Sequence, residues 1–288
     1  MLKEQPRNIL LRAPNWIGDA VMCEPALRGL RSLFPEADIT MLAKSTVAEL
    51  FRAAPELNRV LVYEDRGAHA GLSGKWALAG LLRRHGFDLA VLFQNAFEAA
   101  FIAWLAGIPQ RYGYATDGRV FFLTTPVAVP ERSQSVHQVE YYWNLLKPLG
   151  LPGSVPLPTL SVTSEESQAM DTRLTALGSG SSDIVIGINP GSTYGSAKRW
   201  LPERFAEVAR RLAEQVERDE GRAVVVAILG AKGEESLGED IASRINRPSV
   251  VLSGATTIRE LMAVVKRCRI LITNDTGPMH VAAACGVP

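Results

Sequence analysis

An α/β fold of two doubly wound parallel sheets is predicted, and three observations predict it. Short runs such as residues 88–93 and 223–229 are almost continuously apolar, as strands buried on both faces are. They alternate with segments of helical periodicity, the pattern of βα units. The alternation runs through 288 residues, more than one average domain and enough for two. Right-handed crossovers and ligands at the strand carboxyl ends follow from that class.

In chain order, residues 8–12 read as a first strand, closed by Ala13-Pro14. Asn15-Trp16-Ile17-Gly18-Asp19 is a breaker-rich turn into a helix running to about residue 34. Pro25 either kinks that helix or marks its true start. Strand 38–43, a short helix 47–54, strand 60–63, helix 76–84 and strand 88–93 follow. The most apolar window is 96–109, which holds Glu98 and closes at Gly107 and Pro109. It reads as a buried helix, ahead of a membrane-surface contact. Strand 110–114 and helix 136–149 complete the first series.

Residues 150–163 carry Gly150, Pro152, Gly153, Pro156 and Pro158 with little periodicity, the signature of a linker. The expected domains are therefore 1–155 and 156–288. The second series opens with an acidic helix start at Ser164-Glu165-Glu166, then strand 184–188 and the turn Asn189-Pro190-Gly191-Ser192. Helix 202–216 is amphipathic, with Phe205, Val208, Ala209, Leu212 and Val216 on one face. Strand 223–229, the loop 230–235 and its helix, strand 249–252 and helix 257–266 lead to a last strand, Ile270-Leu271-Ile272. The chain stops at Gly286-Val287-Pro288, directly after a helix, where an alternating chain would place another strand. The second sheet is thus expected to be incomplete.

Composition bounds the function. Hydrophobic residues are 47%, charged residues 21% and the formal net charge is +1, which is ordinary for a globular chain and gives no general nucleic-acid signal. Cys23, Cys268 and Cys285 fit neither a disulfide framework nor a zinc site, so a reducing cytoplasm is expected. The four histidines show no metal-ligand spacing. No run reaches the ~18 apolar residues of a membrane span, and no leader segment is evident.

Three strand-end turns could carry chemistry. In Asn15-Trp16-Ile17-Gly18-Asp19, Asp19 is either an acid favoured by the helix dipole or a carboxylate acting as general base. Residues 189–200 combine a glycine turn and hydroxyls with Lys198 and Arg199, which suits an anionic ligand without the spacing of a Walker loop. Asn274-Asp275-Thr276-Gly277-Pro278-Met279-His280 opens a helix. There Asp275 or Thr276 can cap, Pro278 suits the first turn, and the free N–H groups favour a phosphate. A fourth stretch, 230–235, places Glu234 and Glu235 past a strand end, as a ribose contact or as an acidic helix start. A G-x-G-x-x-G fingerprint, an Asp-x-Asp pair and a G-x-S-x-G elbow are all missing from the sequence. The phosphate charge then falls to Lys198, Arg199 and the Gly277 helix start.

Three of these motifs, in order, resemble the ADP-heptose:lipopolysaccharide heptosyltransferases of glycosyltransferase family 9, most closely the type II enzymes. They are residues 12–22 around Asn15-Trp16-Ile17-Gly18-Asp19, Asn189-Pro190-Gly191-Ser192 with Lys198-Arg199-Trp200, and residues 274–280. The resemblance implies a GT-B architecture, two Rossmann-like domains facing across a cleft. The N-terminal domain would bind a heptosylated Kdo-lipid A acceptor and the C-terminal one ADP-heptose. Transfer would invert the anomeric centre without metal or cofactor. Asp19 matches the catalytic base and Lys198 the cation on the donor phosphates. Asp275, Thr276, Gly277 and His280 match the donor turn, Ser192 and Thr193 its hydroxyl contacts, and Glu234 or Glu235 the ribose contact. Asn15, Trp16 and Gly18 fall on the acceptor side. The resemblance further implies a cytoplasmic monomer working at the inner-membrane surface, with no nucleic-acid partner. The alternatives are another GT-B enzyme with a different donor or acceptor, and a non-catalytic nucleotide-binding or scaffold protein.

Overall fold

The computed structural model describes residues 5–130, 136–192 and 196–288. The chain divides into two compact units, Met1–Pro158 and Thr159–Pro288. Each is a parallel sheet wrapped by helices.

In the first unit, β1 (Asn8–Arg12), β2 (Asp38–Ala43), β3 (Arg59–Val62), β4 (Leu89–Leu92), β5 (Gln110–Tyr114) and β6 (Thr125–Val127) form one sheet. Their order is β3-β2-β1-β4-β5-β6, with every pairing parallel. Helices α1 (Ile17–Leu33), α2 (Ser45–Leu50), α3 (Gly71–Arg84), α4 (Phe97–Leu105) and α5 (Gln138–Leu146) connect and flank the strands. All four residues of β4 are buried, as are Ile9, Leu10, Leu11 and Arg12 of β1. This is why those runs read as near-continuous apolar segments. The strand order reverses between β1 and β4. The loops after them therefore emerge side by side, which is where an open α/β sheet binds ligands. The backbone shows the join directly: the N–H groups of Phe93 and Gln94 donate to the Arg12 carbonyl at 3.1 and 3.2 Å.

In the second unit, β7 (Ile184–Asn189), β8 (Val224–Ile228), β9 (Ser249–Val251) and β10 (Cys268–Thr273) are parallel in the order β10-β7-β8-β9. Helices α6 (Ser164–Ala176), α7 (Pro202–Glu220), α8 (Glu235–Ile245), α9 (Ile258–Arg267) and α10 (Gly277–Ala284) surround it. The reversal here lies between β7 and β10, whose last residues Asn189 and Thr273 sit opposite one another. Gly187 permits that pairing, because a Cβ there would lie 2.7 Å from Leu271 Cδ1. α6 opens with a Thr163–Glu166 capping box, and Glu166 also accepts from the buried Arg259 Nε at 2.7 Å, seating α6 on α9. α7 begins on Pro202 and ends at Gly221 with φ +63°, the expected punctuation for a helix.

Several sequence expectations shift. α3 starts at Gly71 rather than at residue 76. Gly74 lies inside the helix, where a Cβ would come within 2.4 Å of the His69 carbonyl carbon. α1 runs unbroken through Pro25. The short edge strand β6 contains Pro126, which an edge tolerates. α7 buries Phe205, Ala206, Ala209 and Ala213 while Val208 is half exposed, so its inward face is rotated from the expected one. The window 96–109 does hold a helix, but not one buried on all sides: Phe97 and Trp104 are 44% and 47% exposed. Among the described residues, no helix is long and apolar enough to cross a membrane.

Candidate functional site

The second unit gathers the loops after β7 and β10. Asn189, buried at the end of β7, donates from Nδ2 to the hydroxyls of Thr273 and Thr276, both at 3.2 Å. Asn274, also buried, does the complementary work. Its Nδ2 donates to the carbonyls of Pro190 and Gly191 at 2.8 and 3.3 Å, and its Oδ1 accepts from the Trp200 N–H at 3.1 Å. One side chain thus ties both ends of the 190–200 loop to the turn before α10. Trp200 is anchored in turn, edge-on to Phe205 at 5.2 Å.

The loop and the turn then meet through charge. Lys198 Nζ donates to Asp275 Oδ2 at 2.8 Å, with the two side chains 46% and 67% exposed. Hydrogen bonding to Lys198, then its charge, holds the Asp275 carboxyl below the usual carboxylate range. Both members of the pair face solvent, which screens their attraction. Behind it, α10 begins at Gly277 with Pro278 in its first turn and Thr276 extended at the N-cap. The capping expectation is corrected here. Neither Asp275 nor Thr276 caps the helix with its side chain. Asp275 is turned to Lys198, and the Thr276 hydroxyl donates to the Asn274 carbonyl at 3.3 Å while accepting from Asn189. The helix start is left for an anion to meet, with the positive end of the dipole behind it. His280 lies one turn further in, half-buried, and adds a small lowering of the Asp275 carboxyl.

Glu234 and Glu235 differ. Glu234 accepts from the N–H groups of Ser192 and Ala231 at 3.2 and 2.9 Å and pairs with Arg199 Nη2 at 3.4 Å. A Cβ on Gly191 would fall 2.0 Å from its carboxylate, so that glycine makes room for it. Glu235 is exposed, with Oε2 accepting from the Gly233 N–H at 2.7 Å. Ser192 is buried, and its hydroxyl has no partner among the described residues. Thr193 lies outside the described residues.

The first unit gathers the loops after β1 and β4. Asp19 lies in the first turn of α1, half-buried, after an extended Trp16 that is 56% exposed. The buried Cys23 thiol and Tyr142 hydroxyl are both pushed up, by burial first and by the Asp19 charge in smaller part. That charge therefore stands over a dry floor formed by α1 and α5. Beneath the turn, Arg12 is only 3% exposed. It donates to the carbonyls of Ala13 and Leu42 at 2.5 and 3.4 Å and to Asn15 Oδ1 at 2.7 Å. Its guanidinium lies 5.1 Å from the centre of the Tyr63 ring. Burial lowers its pKa to about 10, which leaves it charged at neutral pH. The Tyr63 hydroxyl donates to Glu98, whose other oxygen pairs with Lys75 at 2.9 Å.

The structure thus brings Ser192, Lys198, Glu234, Asp275, Thr276 and Gly277 together in the second unit, and Asn15, Trp16, Gly18 and Asp19 in the first. Sequence reasoning missed Asn189 and Asn274 as the struts of one site, and Arg12, Tyr63 and Glu98 as the support of the other. Arg12 had a signal: a lone cation closing an otherwise apolar strand.

Comparison with known proteins fits this arrangement. Residues 75–288 match the model of glycosyltransferase family 9 (heptosyltransferase). The chain is 29% identical to lipopolysaccharide heptosyltransferase 2 of Escherichia coli, over 97% of this chain and 80% of that protein. The solved glycosyl transferase family 9 structure from Veillonella parvula superposes with a TM-score of 0.87 at 25% identity, covering 98% of this chain and 79% of that one. The Escherichia coli ADP-heptose heptosyltransferase II does so with a TM-score of 0.82 at 26% identity, covering 98% and 83%. The chain belongs to glycosyltransferase family 9, the heptosyltransferases.

Proposed function

We propose that this chain transfers heptose from ADP-L-glycero-D-manno-heptose to a heptosylated Kdo-lipid A inner core, working at the inner face of the inner membrane. The observation that carries the reading is the Asn274-braced junction of Lys198, Asp275 and the uncapped start of α10. It offers a half-exposed cation, an exposed ion pair and helix-start N–H groups at neighbouring strand ends, which is what a nucleotide diphosphate needs. The relatives named as type 2 heptosyltransferases support heptose as the group carried.

The halves of the reaction are divided between the units. Asp19 takes the proton of an acceptor hydroxyl as that oxygen bonds to the anomeric carbon. The bond from that carbon to the diphosphate oxygen breaks on the opposite face, its electron pair leaves with ADP, and the configuration inverts. Lys198 and the Gly277 helix start meet the charge that grows on the leaving phosphate. Ser192 and Thr276 supply hydroxyls around the phosphates, with Thr193 beside them in sequence. His280 stands behind the turn. Glu235, the more accessible of the two glutamates, contacts the ribose, while Glu234 braces the loop. Asn15, fixed by Arg12, shapes the acceptor turn with Trp16 and Gly18.

The test is direct. The protein is incubated with ADP-heptose and heptosylated Kdo-lipid A, and the acceptor is weighed by mass spectrometry. The acceptor should gain one heptose for each ADP released. Release of ADP without a heavier acceptor, or stronger thermal protection by another nucleotide-sugar than by ADP-heptose, would reject this donor and acceptor.

A further inference from the structure

The first unit carries an apolar surface that neither its core nor its strand-end turn uses. Helices α3 and α4 lie side by side and parallel. Lys75 pairs with Glu98 near their starts at 2.9 Å, and Arg83 Nη2 donates to the Leu105 carbonyl near their ends at 2.8 Å. Their outer faces stay bare among the described residues. On α3, Leu72 and Trp76 are 72% and 61% exposed, one turn apart; on α4 Phe97 and Trp104 are about half exposed. Phe101 and Phe122 stack between the α4 rings at 5.2–6.2 Å. Beside them Phe121 stands 89% exposed. Exposed apolar side chains gathered on neighbouring helices in this way mark an interaction site.

Charge selects the partner. α3 has no carboxylate, and with Lys75 met by Glu98 its remaining cations are Arg83 and Arg84, both exposed near its end. Near the patch, Glu98 is tied to Tyr63 and Lys75, and Asp117 is engaged by the Phe97 N–H at 2.9 Å. Tryptophan and phenylalanine rimmed by arginine suit the headgroup layer of an anionic bilayer, where rings sit at the acyl boundary and guanidinium groups at the phosphates. The patch also adjoins the turn that holds Asp19. Phe97 and Glu98 share the first turn of α4, and Glu98 leads through Tyr63 and Arg12 to Asn15.

We propose that the outer face of α3 and α4, with Phe121, docks this unit on an anionic phospholipid surface and so brings the Asp19 turn to a lipid-embedded acceptor. The second half of that statement rests on the lipid-linked acceptor proposed above; the docking itself does not.

The experiment uses the whole chain and vesicles of phosphatidylglycerol and phosphatidylethanolamine, with phosphatidylcholine vesicles as the neutral control. The parent should co-sediment with the anionic vesicles and less so at high salt. The triple variant Leu72→Ser, Trp76→Ser, Phe121→Ser, all at exposed positions, should lose at least about tenfold in affinity, and Arg84→Glu should lose affinity for the anionic vesicles alone. Thermal midpoints should stay at the parent value. Absence of binding by the parent, or equal binding by the triple variant, would overturn the proposal. So would a parent dimer in sedimentation velocity that the triple variant dissolves, since a second copy would then cover the face. Transfer assays separate this from the activity. The triple variant should match the parent on a delipidated acceptor and fall behind on the lipid-bearing one in vesicles. Equal rates on both would sink docking and leave the transferase reading intact. No transfer by the parent to either acceptor, with vesicle binding still lost in the triple variant, would do the reverse.

Discussion

The two units build their strand-end sites from the same geometry and put their charge in opposite places. In the first, the cation is Arg12, sealed under the turn and spent on carbonyls and on Asn15. In the second, the cation is Lys198, half-exposed and facing an exposed carboxylate. A buried guanidinium bound by backbone oxygens cannot move to a ligand; it fixes the loop around it. An exposed ammonium in a weak pair can move. The difference teaches that the first turn is braced from within while the second presents its ion pair to solvent, which is what the proposed roles of Asp19 and Lys198 would use.

That contrast can be broken at several points. The largest effect should come from Asp19→Ala, which removes the proposed base and should lower the transfer rate by roughly 10²–10⁴-fold, read as initial heptose incorporation. A variant of parental rate would take Asp19 out of the chemistry. Arg12→Ala should cost about 3 kcal/mol of stability, because buried acceptors at Ala13, Leu42 and Asn15 lose their donor, and denaturant melts would record it. A loss confined to ADP affinity, with the melt unchanged, would make Arg12 a ligand group instead. Asn274→Ala should cost about 1–2 kcal/mol, since the Trp200 N–H and the Pro190 carbonyl lose one shared partner. It should weaken ADP binding as well, by letting the 190–200 loop drift.

The smallest effect concerns pH. Asp275 has a lowered carboxyl pKa, through hydrogen bonding to Lys198 and then its charge. A depressed folded value means that the pair's contribution is whole above the ordinary 3.8 and fades only as pH falls through the lower folded value. The melting temperatures of the parent and of Asp275→Asn should therefore run parallel at neutral pH and converge in acid. Convergence on the alkaline side would contradict the pairing.

Much of this was legible in the chain itself. Parallel sheets buried on both faces leave near-continuous apolar runs, so β1, β4, β7 and β8 stood out, and breakers marked the turns at Asp19, Gly191 and Gly277. The family resemblance rested on those turns, and the match to family 9 bears it out. Other features left no local trace. The bridging of Asn274 to Pro190 spans 84 residues, and no spacing rule reaches that far. α4 is apolar apart from Glu98 in its first turn, which normally means burial, yet Phe97 and Trp104 face out. The first turn of α3 was missed, and the close approach of the His69 backbone that Gly74 admits there is a tertiary fact.

The division of labour between the units is tested most directly by titrating ADP calorimetrically into Lys198→Ala and Asp19→Ala side by side. Lys198→Ala should bind roughly 10–100-fold more weakly than the parent, the worth of one charge-assisted hydrogen bond. Asp19→Ala should bind ADP as the parent does while transferring heptose at least about a hundredfold more slowly. Parental affinity in Lys198→Ala, or an equal loss in both variants, would contradict the account.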